Sequence, residues 1–407
     1  MQKKKSIKAL SILLLGCMIF MNNTIEAQQN RFTKGLRSDK NYYTEIHFDF
    51  ISEKIIIPVT IENRTYKFML DTGAPNVISK ELSVKIESKS ISQINVSDAT
   101  NKRNQLELVS IPELQLGSIR FINCPTLVDN TSHNLIFDCF DIDGIIGSNM
   151  LYKSIIQINL DNKLLVVTDT PKRLHLNKDE AFKMDLINAQ KSPYIWIEFK
   201  GDKTVKEHVL IDTGMKGFYD LTLNHMNKLS DYGIYTKVSE ATGSASMSLF
   251  GTAKQNTQYR LIIDQLKFVN TVFNNTLVKT TNDTNSRIGA EMLKYGTMTF
   301  NFKQKRFYFN PHNRVVDMKQ KHLGFSPSIL GNKIIVGIVW SADLKEQLEY
   351  GDEIITVDDL DVQSTPLCDF INGSAQVMHN DTFSMVVKKA NGALKTVLIK
   401  KSYFKGE

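Results

Sequence analysis

Apolar residues along most of this chain alternate with polar ones or form short β-branched runs, a pattern that is typical of strands rather than helices. Two stretches share a further layout, "KIIIPVTIENRTYKFMLDTG" from Lys54 and "YIWIEFKGDKTVKEHVLIDTG" from Tyr194. Each contains an apolar strand, a polar turn and a second strand. The pattern therefore predicts two β-hairpins, each ending in Asp-Thr-Gly.

A second phrase is also repeated. "GIIGSNMLYKSIIQINLDNKLLVV" from Gly144 aligns without a gap on "SRIGAEMLKYGTMTFNFKQKRFYF" from Ser286. The two Asp-Thr-Gly phrases are 141 residues apart and these phrases are 142 apart. Two phrases repeated at nearly one spacing indicate two copies of one structural unit. We place the copies at residues 42–168 and 183–311, both rich in strands, and expect a short helix after each "MLYK" or "MLKY" element.

The character of the sequence changes near Lys321. An apolar strand is expected at Ile334–Trp340, followed by a short helical stretch and the phrase "YGDEIITVDD". These elements predict a third, smaller domain at residues 321–402, and about 80 residues are enough for one.

The first residues have the order of a secretory signal peptide, with three lysines, a short apolar run and then a polar stretch that contains Ala27. The apolar run is too short to span a membrane comfortably. Residues 1–27 are therefore predicted to direct export, giving a periplasmic or secreted protein. "LLGC" at Leu14–Cys17 leaves a lipoprotein open, and a membrane contact is expected only if Cys17 is lipidated.

Composition and charge argue against a disordered chain and against a nucleic-acid-binding protein. Hydrophobic residues make up 42% of the chain and charged residues 23%, which is enough apolar material for packed cores. Loss of the signal segment would lower the formal charge from +7 to +4, because four lysines and one glutamate leave with it. No nucleic-acid partner is expected, since the basic stretch 303–314 is the last strand of the second copy. No metal or other cofactor is predicted, because neither HExxH nor CxxC occurs.

Three cysteines lie outside the signal segment, at Cys124, Cys139 and Cys368. Export permits a disulfide between Cys124 and Cys139, but the odd number and low density fit buried free thiols equally well.

The repeated Asp-Thr-Gly phrases carry the candidate chemistry. If the two copies face each other about a twofold axis, Asp71 and Asp212 meet and share one proton, which gives one basic and one acidic group in the same site. Such a pair can deprotonate a water and protonate a carbonyl oxygen. Glycine lets backbone amides approach the carboxylates, and threonine hydroxyls can cross-link the turns. The residues expected to support the pair are Thr72, Gly73, Thr213 and Gly214.

These paired phrases, each followed by "GIIGSNML" or "SRIGAEML", resemble the aspartic proteases over about 270 residues. The resemblance implies a mainly β, bilobed double β-barrel, with peptide bonds as substrate and Asp71 and Asp212 as the catalytic dyad. "DTGAPNVIS" is closer to the retropepsin-like motif than to the pepsin one. Two features depart from the family. Met215 stands where a small or hydroxyl residue is usual, and the expected flap "SISQINVSDATNKRNQLELVSI" contains no aromatic residue.

The third domain resembles PDZ domains in its "GDEIITVDD" phrase and in "HLGF" at His322–Phe325. The resemblance implies that Leu323, Gly324 and Phe325 form a loop that holds the carboxyl terminus of a peptide ligand. The alternative is a β-rich module that packs against the lobes and binds nothing.

Two functions follow from the sequence. The first is an exported aspartic endopeptidase that hydrolyses peptides or proteins. The second is a non-catalytic peptide-binding protein that retains the bilobed cleft and the PDZ-like groove. Intact Asp, Thr and Gly in both copies favour the enzyme, whereas Met215 favours the alternative.

Overall fold

A computed structural model describes residues 31–98, 100, 102–131 and 134–404 of the 407-residue chain. The predicted signal peptide at 1–27, with Cys17, lies outside the described residues. Among the residues described, none of the helices has the length and apolar character needed to cross a membrane.

Twelve strands and three helices occur among the described residues of the first copy and the segment just before it. They are β1 (Arg37–Ser38), β2 (Tyr43–His47), β3 (Asp49–Ile51), β4 (Lys54–Ile61), β5 (Arg64–Asp71), β6 (Val77–Ser79), α1 (Lys80–Lys85), β7 (Lys89–Ser97), β8 (Arg103–Leu116), β9 (Ile119–Asp129), α2 (Leu135–Phe140), β10 (Gly144–Gly147), α3 (Ser148–Leu151), β11 (Ile155–Asn159) and β12 (Leu164–Thr168). Strands β9, β6, β10, β5, β4 and β8 pair in that order, and β8 pairs with β9. These six strands therefore close into a barrel.

The second copy repeats this arrangement. Its elements are β13 (Phe182–Lys183), β14 (Asp185–Ile187), β15 (Ser192–Lys200), β16 (Thr204–Ile211), β17 (Tyr219–Thr222), α4 (Leu223–Leu229), β18 (Tyr235–Gly243), β19 (Met247–Ser248), β20 (Gly251–Thr252), β21 (Asn256–Phe268), β22 (Thr271–Thr281), β23 (Arg287–Ile288), β24 (Gly296–Asn301), β25 (Arg306–Pro311) and β26 (Val315–Asp317). Strands β15, β16, β23, β17, β22 and β21 form the second closed ring, through the β15–β21 pairing. The expected double β-barrel is present.

The short helices are displaced from their predicted positions. They lie on the repeated phrases themselves, as α3 in the first copy and as a 3₁₀ helix at Ala290–Tyr295 in the second, and strands β11 and β24 follow them. Other 3₁₀ turns occur at Pro171–Arg173, Lys178–Glu180 and Ser230–Tyr232.

A six-stranded sheet joins the two copies, in the order β13, β25, β24, β11, β12 and β2. At its centre β11 pairs antiparallel with β24, with Gln157 opposite Thr299. These two residues are 142 positions apart, so the repeat places equivalent residues opposite each other. The Gln157 side-chain amide donates to Thr299 Oγ1 at 3.0 Å. A pseudo-twofold axis therefore passes through this pair.

The alternation in β4 shows how sequence places the core. Ile55, Ile57, Val59 and Ile61 are each at most 2% exposed and belong to the main apolar cluster, whereas Ile56 packs in a second cluster on the other face of the strand. A strand directs successive side chains to opposite faces, so each of these isoleucines adds about 1.5–3 kcal/mol of burial to one side or the other.

Residues beyond the second copy form a separate β domain. Its elements are β27 (Phe325–Leu330), β28 (Lys333–Val339), α5 (Ala342–Lys345), β29 (Glu353–Val357), β30 (Leu360–Asp361), α6 (Leu367–Ile371), β31 (Thr382–Lys388) and β32 (Leu394–Lys400). The domain has its own apolar core, which includes Phe325, Val336 and Met385. It is attached to both copies, which are called the first lobe and the second lobe below.

The attachment to the first lobe is covalent, and it corrects the cysteine interpretation. Cys139 on α2 forms a disulfide with Cys368 on α6, so the possible Cys124–Cys139 bridge is wrong. Cys124 is a buried free thiol, and burial raises its pKa. Periodicity could not predict this pairing, because the two cysteines are 229 residues apart.

The attachment to the second lobe centres on Arg260. Its guanidinium lies between the rings of Trp340 and Phe404, 4.6 and 4.7 Å from their centroids, and donates to the Leu323 carbonyl at 2.8 Å. Burial lowers the pKa of Arg260 to about 9. The Ser244 amide also donates to the Gly337 carbonyl at 3.0 Å.

Candidate active site

Both Asp-Thr-Gly motifs lie where a buried strand leaves its barrel. Asp71 is the last residue of β5, and Asp212 directly follows β16. The residues just before them, Leu70 and Ile211, are fully buried. Each strand is also paired in parallel with the repeated glycine phrase, β5 with β10 and β16 with β23. Strand pairing and apolar burial thus fix both motifs at the junction of the lobes.

Threonine hydroxyls connect the two motifs in a symmetric set of hydrogen bonds. The Thr72 hydroxyl donates to the Ile211 carbonyl at 2.6 Å and accepts from the Thr213 amide at 3.1 Å. The Thr213 hydroxyl donates to the Leu70 carbonyl at 2.9 Å and accepts from the Thr72 amide at 3.0 Å. All four hydrogen bonds are buried, and they hold the two turns in one orientation.

The glycines bring the carboxylates against each other. The Gly73 amide donates to Asp71 Oδ1 at 2.8 Å, and the Gly214 amide donates to Asp212 Oδ1 at 3.0 Å. A Cβ at Gly73 would lie 2.6 Å from the Asp212 carboxyl carbon, and one at Gly214 would overlap the Asp71 carboxyl group. Each motif therefore needs glycine to leave room for the aspartate of the other.

The close approach of two carboxylates makes their charge states interdependent. Burial raises the pKa of Asp71 to about 8, with a further increase from the charge of Asp212, while the nearby Lys54 opposes both effects. Asp71 is thus mostly protonated at neutral pH. A site with one carboxylic acid and one carboxylate can give and accept a proton at the same time.

Two cations that the sequence pattern does not predict flank the pair. Lys54, the first residue of β4, donates through Nζ to the Gly214 carbonyl across the lobe junction. Burial lowers the pKa of Lys54, although the charges of Asp71 and Asp212 raise it. Arg287, on β23, donates from Nη1 to Asp212 Oδ2 at 3.0 Å and also pairs with Asp283.

A signal for Arg287 was present in the repeat. The phrases "GIIG" and "SRIG" place an arginine in the second copy where the first has Ile145, and the strand pairing agrees, with Ile145 opposite Met69 and Arg287 opposite Leu210. No comparable signal exists for Lys54, because lysine at the first position of a strand is ordinarily solvated.

The glycine carbonyls are each held by a side chain from the opposite lobe. Gln190 Nε2, just before β15, donates to the Gly73 carbonyl at 2.9 Å. Lys54 Nζ donates to the Gly214 carbonyl in the same way. Glu53, next to Lys54, accepts from the Gly217 amide at 2.8 Å. These contacts tie the start of the hairpin in each lobe to the motif of the other.

The backbone at Met215 has the same hydrogen bonds as its counterpart in the first copy. The Met215 carbonyl accepts from the Ala290 amide at 2.9 Å, as the Ala74 carbonyl accepts from the Ser148 amide at 3.1 Å. One side-chain bond differs, since the Ser148 hydroxyl donates to the Thr72 carbonyl at 2.5 Å and alanine replaces serine at 290. The departure at Met215 therefore preserves the turn.

The expected flap is the long hairpin of β7 and β8, and its tip meets the tip of a second hairpin. The second lobe contributes the turn between β19 and β20. The Lys102 ammonium donates to the Phe250 carbonyl at 3.0 Å, and the Phe250 amide donates to Asp98 Oδ2 at 3.0 Å. A cavity of about 530 Å³ lies between the two tips, lined by Lys102, Arg103, Asn134 and Leu249 among others.

The predicted carboxylate loop of the third domain lies at its junction with the second lobe. The Leu323 carbonyl accepts from Arg260, the Gly324 carbonyl accepts from the amides of Trp340 and Ser341 at 2.8 and 3.0 Å, and Phe325 is buried in the domain core. Strand β27, which follows the loop, pairs with β28 along one side and lies at the edge of the sheet.

The candidate site consists of carboxylates, cations and backbone groups. In the part of the chain that the structure describes, no three His, Cys, Asp or Glu side chains are grouped to hold a metal ion.

Comparison with known proteins links part of this arrangement to a family. Residues 57–150 match the model of a family described as "Aspartyl protease". The match includes Asp71 and ends before Asp212. No curated protein matches this chain.

One similar solved structure is described as "Crystal structure of a retropepsin-like aspartic protease from Rickettsia conorii". It is 19% identical over 33% of this chain and 92% of that chain, with a TM-score of 0.22.

Proposed function

We propose that this chain is an exported aspartic endopeptidase in which Asp71 and Asp212 act together on a water molecule and a peptide bond. The observation that carries this proposal is the pair of carboxylates at equivalent positions of two barrels, fixed by reciprocal threonine hydrogen bonds. The family match at residues 57–150 supports the same activity.

The two carboxyl groups have different charge states in this mechanism. Asp71 is the acid, because its raised pKa keeps it protonated near neutral pH. Asp212 is the base, because Arg287 stabilises its negative charge. Asp212 removes a proton from water while the water oxygen attacks the peptide carbonyl carbon, and Asp71 gives its proton to the carbonyl oxygen. When the C–N bond of the resulting tetrahedral intermediate breaks, the nitrogen takes the proton that Asp212 removed from water and leaves as an amine. Asp71 recovers a proton from the hydroxyl group that becomes the new carboxyl carbonyl, so the starting charge states are restored.

The backbone and side chains around the pair limit its motion. The threonine network and the two glycine amides fix the carboxyl planes, so little reorganisation accompanies proton transfer. The two flap tips are joined through Asp98, Lys102 and Phe250. We propose that the joined tips cover the cleft and exclude bulk water from it.

A second function, a peptide-binding protein without turnover, is favoured by the cations at the site. Arg287 pairs with one carboxylate and Lys54 lies beside both. A cation paired with Asp212 stabilises its negative charge and so weakens it as a base. Both functions use the same cleft, so binding alone does not separate them, but hydrolysis does.

Export is proposed from the amino-terminal sequence, and the disulfide supports it. Disulfides persist in oxidising compartments and are rare in the cytosol. The bridge between Cys139 and Cys368 therefore fits a periplasmic or secreted protein.

We also propose that the third domain binds peptides through a free carboxyl terminus. Leu323, Gly324 and Phe325 would hold the terminus, and the edge strand β27 would pair with the peptide. The domain's contacts with both lobes would keep such a ligand at a fixed place relative to the cleft.

The activity is tested by incubating the purified mature chain with a diverse peptide mixture, with and without a hydroxyl-containing mimic of the tetrahedral intermediate. Internal cleavage that the mimic abolishes supports the endopeptidase. Peptide binding without cleavage from pH 3 to 9 would support the binding protein instead. Mass spectrometry identifies the cut bonds.

A further inference from the structure

The two halves of the dyad have the same backbone and different charge environments. Both carboxylates accept a hydrogen bond at Oδ1 from the amide of their own glycine. At Oδ2, Asp212 also accepts from Arg287, whereas the equivalent position in the first lobe is Ile145. The duplication is therefore symmetric in fold and asymmetric in charge.

Arg287 is held in place by two carboxylates. Its side chain is 16% exposed, and it pairs with Asp212 through Nη1 and with Asp283 through Nη2; the side chains of those two residues are 6% and 7% exposed. Its Nε is buried without a hydrogen-bond partner among the described residues. The orientation of the guanidinium thus follows from the two ion pairs, and one of them includes a member of the dyad.

The other charged and titratable groups near the dyad do not provide the same asymmetry. Lys54 approaches from the first lobe, but its ammonium contacts the Gly214 carbonyl and its charge acts on both carboxylates. Other described groups whose charges interact with Arg287 include Asp71, Asp220 and Tyr194, and Asp220 is itself paired with Lys279.

We propose that Arg287 is a positioning residue that keeps the negative charge of the dyad on Asp212 and so assigns the shared proton to Asp71. This inference rests on the proposed function only for its consequence in catalysis. The two carboxylates then have roles that cannot be exchanged, with Asp212 accepting the proton of water and Asp71 protonating the carbonyl oxygen.

The charge assignment is measurable without turnover. In protein labelled with ¹³C at the aspartate carboxyl carbon, the chemical shift reports ionisation, and Asp71→Asn and Asp212→Asn identify the two signals. In the wild-type protein the Asp212 signal should remain that of a carboxylate to lower pH than the Asp71 signal. A wild-type protein in which Asp71 is the first to ionise overturns the proposal.

Substitution of Arg287 is a second test of the proposal. Arg287→Met keeps an apolar stem and removes the charge, so the Asp212 titration should move up by about 1–3 pH units, the effect expected for an adjacent arginine. Arg287→Lys restores a cation without the planar fork and should recover part of the difference. Arg306→Met, at an exposed arginine on β25, is the matched control and should leave both titrations unchanged.

An Asp212 titration that does not move in Arg287→Met would overturn the proposal, and so would an equal shift in Arg306→Met. If Arg287→Met does not fold, Arg287→Lys and the wild-type order decide the question.

The same variants separate this inference from the proposed function. In a wild-type protein that cleaves peptides, the acid limb of the pH profile of kcat/KM should move to higher pH in Arg287→Met. A protein that cleaves nothing but shows the predicted titration order refutes the endopeptidase and supports the charge assignment. A protein that cleaves peptides with the reverse order does the opposite.

Discussion

The carboxyl group of Asp71 carries an energetic cost that depends on pH. Its pKa is raised to about 8 in the folded protein, against about 3.9 in an unfolded chain. The folded state therefore retains a proton that the unfolded state loses. Since stability falls with pH wherever the folded state binds more protons, this group destabilises the protein increasingly from about pH 4 to 8.

Asp71→Asn removes that pH-dependent cost. The amide preserves the shape of the carboxyl group, so we expect the variant to melt at a higher temperature than the wild type at pH 7.5 and near the same temperature at pH 4. Calorimetry at both pH values measures the difference. A gain that is equal at both values, or a loss at pH 7.5, would show that the Asp71 carboxyl is not held protonated.

The hydroxyl group of Thr72 stabilises the folded protein through its two buried hydrogen bonds to the second lobe. Thr72→Val keeps the volume but leaves the Ile211 carbonyl and the Thr213 amide without their partner. An unpaired buried group costs about 1–3 kcal/mol, so urea denaturation should show a loss of at least that size. Thr72→Ser retains the hydroxyl and is the control. Equal stability of the two variants would contradict the role of the network.

At the scale of elements, the repeat made most of the barrel framework predictable. Both hairpins that precede Asp-Thr-Gly are present as β4–β5 and β15–β16, and the strand after each glycine phrase is present as β11 and β24. Periodicity succeeds there because burial on one face dictates the side-chain pattern. It fails for the short helices, since the four residues of α3 and the six of the 3₁₀ helix at Ala290–Tyr295 are too few for a helical pattern to recur.

Propensity could not predict the contact between the flap tips, because its two hydrogen bonds join residues that are 148 and 152 positions apart. Asp98→Ala removes the acceptor of the Phe250 amide. That amide should then exchange with deuterium faster, while amides of the barrel strands keep their protection. Asp141→Ala, at a side chain that is 86% exposed, is the control. Unchanged exchange at Phe250 would mean that the tips are held together by other contacts.

At the scale of the whole molecule, the sequence predicts three structural units but not how the third is fixed. Arg260, between two aromatic rings, and the disulfide from α2 to α6 hold that domain on opposite lobes. Both features join residues that are far apart in sequence and have no periodic signal. The same limit applies to Lys54, whose position beside the dyad exists only once the two lobes are packed.

The disulfide should contribute measurably to the stability of the assembly. Replacing Cys139 and Cys368 together by alanine should cost about 2–5 kcal/mol and speed proteolysis in the segment before β27. Adding a reductant to the wild type should reproduce the effect, and it should change nothing in the double variant. A wild type that is insensitive to complete reduction would show that the non-covalent contacts suffice.

The proposed mechanism requires that Asp71 and Asp212 form a single catalytic unit, and peptide turnover tests this requirement. Asp71→Asn, Asp212→Asn and the double variant are compared with the wild type in peptide turnover, with folding verified by calorimetry. Groups that act as a unit are not additive, so each single variant should lose nearly all activity and the double variant should lose little more. Full activity in Asp212→Asn together with loss in Asp71→Asn would contradict the two-lobed dyad.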